Sequence, residues 1–242
     1  MTRADGRRVD ELRPLELTPD FLEQPHGCVL WEQGMTIVLC TATIDDGVPR
    51  WMSGKGVGWM TAEYSLLPAS TGERTAREAR TGRQQGRTVE IQRLIGRAVR
   101  AVCDFEALGE RTLWLDCDVL QADGGTRTAS ITGAYAALAI GVGRLRARGA
   151  LASDPLLDSV AAVSVGVVEG VALLDLDYSE DSTADVDLNM VMTGDGRLVE
   201  VQATAERDPF SRDQLDELLE LAALGIGQIG DEQLRAAEAV PG

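Results

Sequence analysis

Histidine occurs once, at His26, in a Pro-His-Gly turn with no nucleophile beside it. A Ser-His-Asp or Cys-His mechanism has only that candidate base, so His26 reads as structural. The four cysteines, Cys28, Cys40, Cys103 and Cys117, never stand at CxxC spacing. That absence excludes a zinc site or disulfide framework and suits buried thiols in a reducing compartment, the cytoplasm. No apolar run reaches membrane-spanning length, and the N-terminus, Met-Thr-Arg-Ala-Asp-Gly-Arg-Arg-Val-Asp, lacks the apolar stretch of a secretory signal. Gly54-Lys-Gly-Val-Gly58 is glycine-rich but has no Lys-Ser/Thr ending of a P-loop, which excludes nucleotide hydrolysis on that motif. Lysine is nearly missing too: Lys55 stands alone among 23 basic residues, a bias of composition rather than of function.

The charge that is present is unevenly placed. A net −16 argues against nucleic acid, but residues 1–150 carry 19 basic and 19 acidic side chains while residues 151–242 carry 4 and 20. The whole acidic excess therefore lies in the C-terminal part. Within the neutral part, residues 74–100 hold arginines at 74, 77, 80, 83, 87, 93, 97 and 100 against only Glu78 and Glu90. A local patch, not the total, decides whether a polyanion binds. Arg93, Arg97 and Arg100 fit the solvated face of a helix. Arg74, Arg77 and Arg80 lie where little is apolar and no helix face needs covering, so they suit a basic loop that clamps an RNA backbone.

At 242 residues the chain is near the upper end for one domain and can bury one substantial core. Cys28–Glu32 and Met35–Ile44 flank Gln33-Gly34 as a predicted hairpin, Trp59–Leu66 is a strand, and 69–86 reads as an exposed loop. From Arg87, Ile91, Leu94, Ile95, Ala98, Val99 and Val102 recur at helical spacing. Thr112–Leu120 alternates as a half-buried strand. Thr128–Arg148 is helical, with Ile131, Tyr135, Leu138, Val142 and Leu145 along one side. Further hairpins are predicted from Ala161–Val168 with Val171–Tyr178, and from Asp187–Met192 with Leu198–Thr204. Ser211 caps a helix with Gln214 at the capping-box position, and a second acidic helical segment spans about Asp231–Ala239. The expected fold is α+β: mixed β-sheet lobes, about 1–150 and 151–242, with packed helices in one domain over 1–242.

Two stretches carry chemistry. Asp123-Gly124-Gly125-Thr126-Arg127 stands where a strand gives way to a helix. A glycine turn opening a helix leaves backbone N–H groups and the positive dipole end facing outward, which suits phosphate. Arg127 adds a fork of donors. The same glycines could equally serve only to reach positive φ. From Asp175 to Asp187, six carboxylates (Asp175, Asp177, Glu180, Asp181, Asp185, Asp187) crowd together. Asp175 and Asp177 would alternate onto one strand face, and Asp185, Asp187 and Asn189 onto the next, with Asp181 in the loop between. Such oxygens suit Mg²⁺, or form a solvated acidic turn.

Thr61-Ala-Glu-Tyr, Gly86-Arg-Thr-Val-Glu-Ile-Gln-Arg-Leu-Ile95, the run from Leu115 to Gly133 and Glu180-Asp-Ser resemble bacterial ribonuclease PH. The likeness runs from about Arg3 to the helix after Ser211. Polynucleotide phosphorylase and the exosome ring subunits share the fold with less resemblance. The resemblance implies a ribosomal protein S5 domain 2-like fold and a phosphate-dependent 3′-to-5′ exoribonuclease. Such an enzyme trims transfer-RNA precursors, and the resemblance also implies ribosomal-RNA processing. It implies that Arg87, Gly125, Thr126 and Arg127 hold the attacking inorganic phosphate, and that Asp181 and Asp187 are catalytic or Mg²⁺-binding carboxylates. It further implies that Arg74, Arg77 and Arg80 grip RNA, and that the chain forms a homo-hexameric ring, a trimer of dimers. Ala69 and Gly72 depart from the family pattern of Arg and His, which puts the grip of this loop in question. Two other readings stay open: an inactive RNA-binding ring subunit, and a nuclease using water and Mg²⁺.

Overall fold

The computed structural model describes residues 3–238. In chain order the elements are β1 (Leu15–Pro19), β2 (Gly27–Gln33), β3 (Thr36–Asp46), β4 (Trp59–Leu66), α1 (Glu78–Thr81), α2 (Gly86–Arg100), α3 (Phe105–Leu108) and β5 (Arg111–Gln121). They continue as α4 (Thr126–Ala147), β6 (Val160–Val168), β7 (Val171–Leu174), α5 (Tyr178–Asp181), β8 (Val186–Thr193), β9 (Leu198–Ala205) and α6 (Arg212–Glu238). One sheet has the order β1-β2-β3-β5-β4, antiparallel except for the parallel β4–β5 pair. The other, β7-β6-β8-β9, is antiparallel throughout. The α+β expectation holds, with the mixed sheet confined to the first lobe.

Local sequence explains most elements. In β3, Thr36, Val38, Cys40, Ala42 and Ile44 alternate inward, as a strand with one covered face requires. Strand β6, Val-Ala-Ala-Val-Ser-Val-Gly-Val-Val, is buried at every position, and α4 and α6 both pack against it. The hairpin turn between β2 and β3 is Gly34-Met35, one residue beyond the expected Gln33-Gly34. The 69–86 segment is largely exposed and contains the single turn of α1 and, at its end, the first residue of α2.

Three expectations are corrected. Helix α4 does not present one apolar side; from Thr126 to Val142 it is buried almost throughout, because it lies against β2, β3 and β5 as well as β6 and β8. The two helical segments predicted after Ser211 are one 27-residue helix, α6, although Ala239 lies outside the described residues. Its glycines lower helix propensity, but Ile226, Ile229 and Ala236 bury against the second sheet and packing outweighs the local cost. The Ser211 cap is as expected: Gln214 N–H donates to Ser211 Oγ at 3.2 Å and Ser211 N–H to Gln214 Oε1 at 2.9 Å. The strand predicted to reach Tyr178 ends at Leu174, and Asp175 takes a left-handed φ of 55°. Asp175 and Asp177 therefore do not share a strand face; the cause lies in a buried arginine described below.

One buried hydrophobic cluster runs from Val29, Trp31 and Val38 of the first sheet through α4 to Val160, Val163 and Leu188 of the second. The four cysteines are free and buried. His26 is structural: its Nδ1 accepts the Ile44 N–H at 3.1 Å.

Candidate functional site

The turn between β5 and α4 is built for close approach. Gly124 and Gly125 have φ of 73° and 64°. A Cβ on Gly124 would lie 2.6 Å from the Leu176 carbonyl oxygen, so any side chain there collides with backbone. Gly125 is the N-cap of α4, and no side chain caps that end. The first turn of a 22-residue helix is thus left with its outward N–H groups and dipole uncompensated. Tyr64 donates its hydroxyl to Thr126 Oγ1 at 3.0 Å, which ties the first helical residue to β4.

The turn is held from behind by charge that sequence periodicity did not reveal. The Arg13 guanidinium grips Asp175 through Nε to Oδ2 at 3.0 Å and Nη2 to Oδ1 at 2.7 Å, and its Nη1 donates to the Asp123 carbonyl. Thr36 Oγ1 donates to the Gly124 carbonyl at 2.7 Å and accepts the Asp123 N–H at 3.0 Å. Arg3 binds Glu180 in fork geometry at 2.8 and 2.7 Å and donates to the carbonyls of Leu174 and Asp175. Asp177 caps α5 in a capping box with Glu180. These buried, paired charges pull the chain out of strand geometry after Leu174 and set Asp181 at the end of α5.

Asp181 and Asp187 then face the glycine turn. Arg87, Gly125, Thr126, Arg127, Asp181 and Asp187 line one cavity of about 520 Å³, with Ser164, Asn189, Glu206 and Arg207 completing its wall. Six residues from four separate parts of the sequence thus come together in one cavity. Burial raises the pKa of Asp187 to about 6, with the Asp181 charge adding to the rise and Arg127 opposing it. Asp181 is also raised, chiefly by burial, while Arg127 and Arg87 pull it down. Two arginines and two carboxylates thus act on one another. Asn189 Nδ2 lies 3.3 and 3.4 Å from the Asp187 carboxylate oxygens. Arg127 Nη1 donates to Gln202 Oε1 of β9 at 2.9 Å.

The basic loop is placed differently. Arg77 lines a second cavity of about 670 Å³, floored by Asp116 and Asp118 and sharing Arg87 with the first. Burial raises both floor carboxyls, and Arg77 moderates the rise at Asp118. Arg74 and Arg80 are exposed and line neither cavity. Among the described residues no group of three or more His, Cys, Asp or Glu side chains is arranged to hold a metal ion. The pair Asp181 and Asp187 still fits Mg²⁺, which takes one or two protein carboxylates and fills its shell with water and phosphate oxygens. No helix among the described residues is long and apolar enough to cross a membrane.

Arg13 and Ser164 escaped the sequence reading, and Asp175, expected on a strand face, instead pairs with buried Arg13. For Ser164 the one available signal was a hydroxyl inside an otherwise apolar strand. For Arg13 there was none, because its partner is 162 residues away.

An α+β scaffold thus presents an uncapped helix end, three arginines and a carboxylate pair around one cavity, an arrangement suited to an oxyanion such as phosphate. Residues 11–141 match the 3′ exoribonuclease family, domain 1, and residues 158–224 match its domain 2. The chain belongs to that 3′ exoribonuclease family. It is 57% identical to ribonuclease PH of Neisseria meningitidis serogroup C over 97% of both chains, and 56% identical to ribonuclease PH of Bacillus subtilis over 96% of this chain and 95% of that one. In fold it is similar to rice Rrp46 (TM-score 0.78, 21% identity, 98% of this chain and 100% of that one). It is equally similar in fold to a chain of the Archaeoglobus fulgidus exosome with RNA bound to the active site (TM-score 0.78, 23% identity, 95% and 92% covered).

Proposed function

We propose that the chain is a phosphate-dependent 3′-to-5′ exoribonuclease that trims the 3′ ends of transfer-RNA precursors in the cytoplasm. The observation that carries this reading is the single cavity in which Arg87, Gly125, Thr126 and Arg127 meet Asp181 and Asp187. An oxygen of inorganic phosphate attacks the terminal phosphodiester phosphorus. The bond to the 3′-oxygen of the penultimate nucleotide breaks, that oxygen takes up a proton, and a nucleoside diphosphate leaves. Two anions must approach one another, so Arg87, Arg127 and the α4 N–H groups hold and neutralise the attacking one. Asp181 and Asp187 are the residues that would hold Mg²⁺, whose charge would stabilise the leaving oxygen. Because the product conserves the bond energy as a diphosphate, the reaction runs in reverse when diphosphates are supplied.

Arg77, with Arg74 and Arg80, grips the RNA backbone. The chain assembles into a homo-hexameric ring, a trimer of dimers, that gathers these loops around the strand. A hydrolase would have no use for a dedicated anion pocket beside the carboxylates. An inactive subunit would have no use for the carboxylates. The buried cluster spanning both sheets supports one working domain over the chain.

The test is incubation of a 3′-extended transfer-RNA precursor with Mg²⁺, with and without inorganic phosphate, resolving the mononucleotides. Nucleoside diphosphates should appear only with phosphate. Monophosphates released without phosphate would mean a hydrolase, and bound but uncut RNA an inactive subunit.

A further inference from the structure

In the wall of the phosphate cavity lies a hydroxyl that the protein alone does not use. Ser164 is 4% exposed, and its Oγ has no hydrogen-bond partner. It sits in β6, where every other residue is apolar or glycine and all are buried. A buried hydroxyl without a partner destabilises the fold relative to one that is satisfied. Alanine would fill the same place without that cost, so the hydroxyl makes physical sense only if something else completes its hydrogen bond.

Register shows where it points. Ser164 is directly opposite Asn189 in the β6–β8 ladder, and Gly166 is opposite Asp187. Opposed residues of an antiparallel pair project to the same face, and so do residues two apart along a strand. Ser164, Asn189 and Asp187 therefore share the face that opens into the cavity. On the other side Ser164 Oγ meets the glycine turn: a Cβ built on Gly125 would lie 3.7 Å from it. The hydroxyl thus stands between the anion-binding helix end and the carboxylate pair, on the turn's side of the cavity.

We infer that Ser164 is a further phosphate-binding residue, donating its Oγ–H to an oxygen of the inorganic phosphate held by Arg87, Arg127 and the α4 N-terminus. This rests on the phosphorolytic reading given above. A neutral donor suits this place. A further cation so close to Asp181 and Asp187 would form an ion pair with them and compete with both phosphate and metal, whereas a hydroxyl binds oxygen without adding charge. The phosphoryl oxygen it meets could belong to free phosphate or to the RNA terminus; contact with the glycine turn assigns it to free phosphate.

Steady-state phosphorolysis of a 3′-extended transfer-RNA precursor by wild type and Ser164→Ala tests this, with phosphate and RNA varied separately. The KM for phosphate should rise about tenfold, the effect of one hydrogen bond to a charged group, while the KM for RNA stays within twofold. Without RNA, inorganic phosphate should raise the melting temperature of wild type and raise that of the variant less at the same concentration. An unchanged phosphate KM and an unchanged thermal shift in a folded variant would overturn the assignment. A rise in the RNA KM as large as that for phosphate would overturn it in favour of the RNA terminus. If wild type itself released nucleotides without phosphate, the phosphorolytic reading would fall instead, whatever the variant did.

Discussion

Asp187 shows how the site trades stability for chemistry at the scale of one residue. Its folded pKa is about 6, above the ordinary 3.8, because burial and Asp181 disfavour the charged form. The native protein therefore binds a proton more tightly than the unfolded chain does. Stability contributed at this position is present below pH 4 and is lost as pH rises from about 4 to 6. At neutral pH the metal-free protein carries this charge at a cost of about 3 kcal/mol. Asp187→Asn should remove it: the variant melts higher than wild type at pH 7 without Mg²⁺, and the two converge near pH 4. Thermal denaturation across that range checks this, and a variant that is less stable at pH 7 would count against the buried, charge-repelled carboxylate. The same variant should be inactive at every pH, since an amide cannot take the place of the carboxylate towards a divalent cation.

At the scale of elements, the turn-and-helix unit of α4 separates two kinds of glycine. Gly124 has a left-handed φ and backbone 2.6 Å from where a Cβ would be; Gly143, in the same unit, has nothing within 4 Å. Gly124→Ala should lose about 2–4 kcal/mol from left-handed strain and collision with the Leu176 carbonyl, with a weakened phosphate site as the turn moves. Gly143→Ala should be neutral or gain up to about 1 kcal/mol from helix propensity. Chemical denaturation of the two variants decides the point, and equal effects would mean that the turn is not held as described. This contrast also marks what was legible in the sequence. Trp59–Leu66 carries a pattern of period two and α2 one of period 3.6, so local residues suffice to place them. The Asp123–Arg127 motif was legible because its residues are contiguous. Leu174 to Tyr178 also alternates like a strand, and there the local pattern misleads, because Arg13 claims Asp175 from 162 residues away. Burial all round α4 was hidden for a related reason: a helix between two sheets has no outward face to display.

For the molecule as a whole, the decisive fact is that α4 packs against both sheets and its residues belong to a single buried cluster. The two lobes should therefore unfold together. The four tryptophans, Trp31, Trp51, Trp59 and Trp114, all lie within residues 1–150, so their fluorescence reports on the first lobe, whereas far-ultraviolet circular dichroism reports on all helices and strands. The two signals should give coincident denaturation curves for the full chain. Separate midpoints would mean that the lobes are independent units despite their shared core.

The arginine cluster behind the glycine turn also bears on how the protein is made. Arg3, Arg7 and Arg13 are made well before the carboxylates that neutralise them, since Asp175 and Glu180 follow 162 to 177 residues later. Asp187 comes later still. During translation the basic loop is therefore complete long before the turn has its support or the carboxylates exist. The chain therefore carries its arginines well before either carboxylate exists, and the cavity that joins them can assemble only after residue 187 has been made.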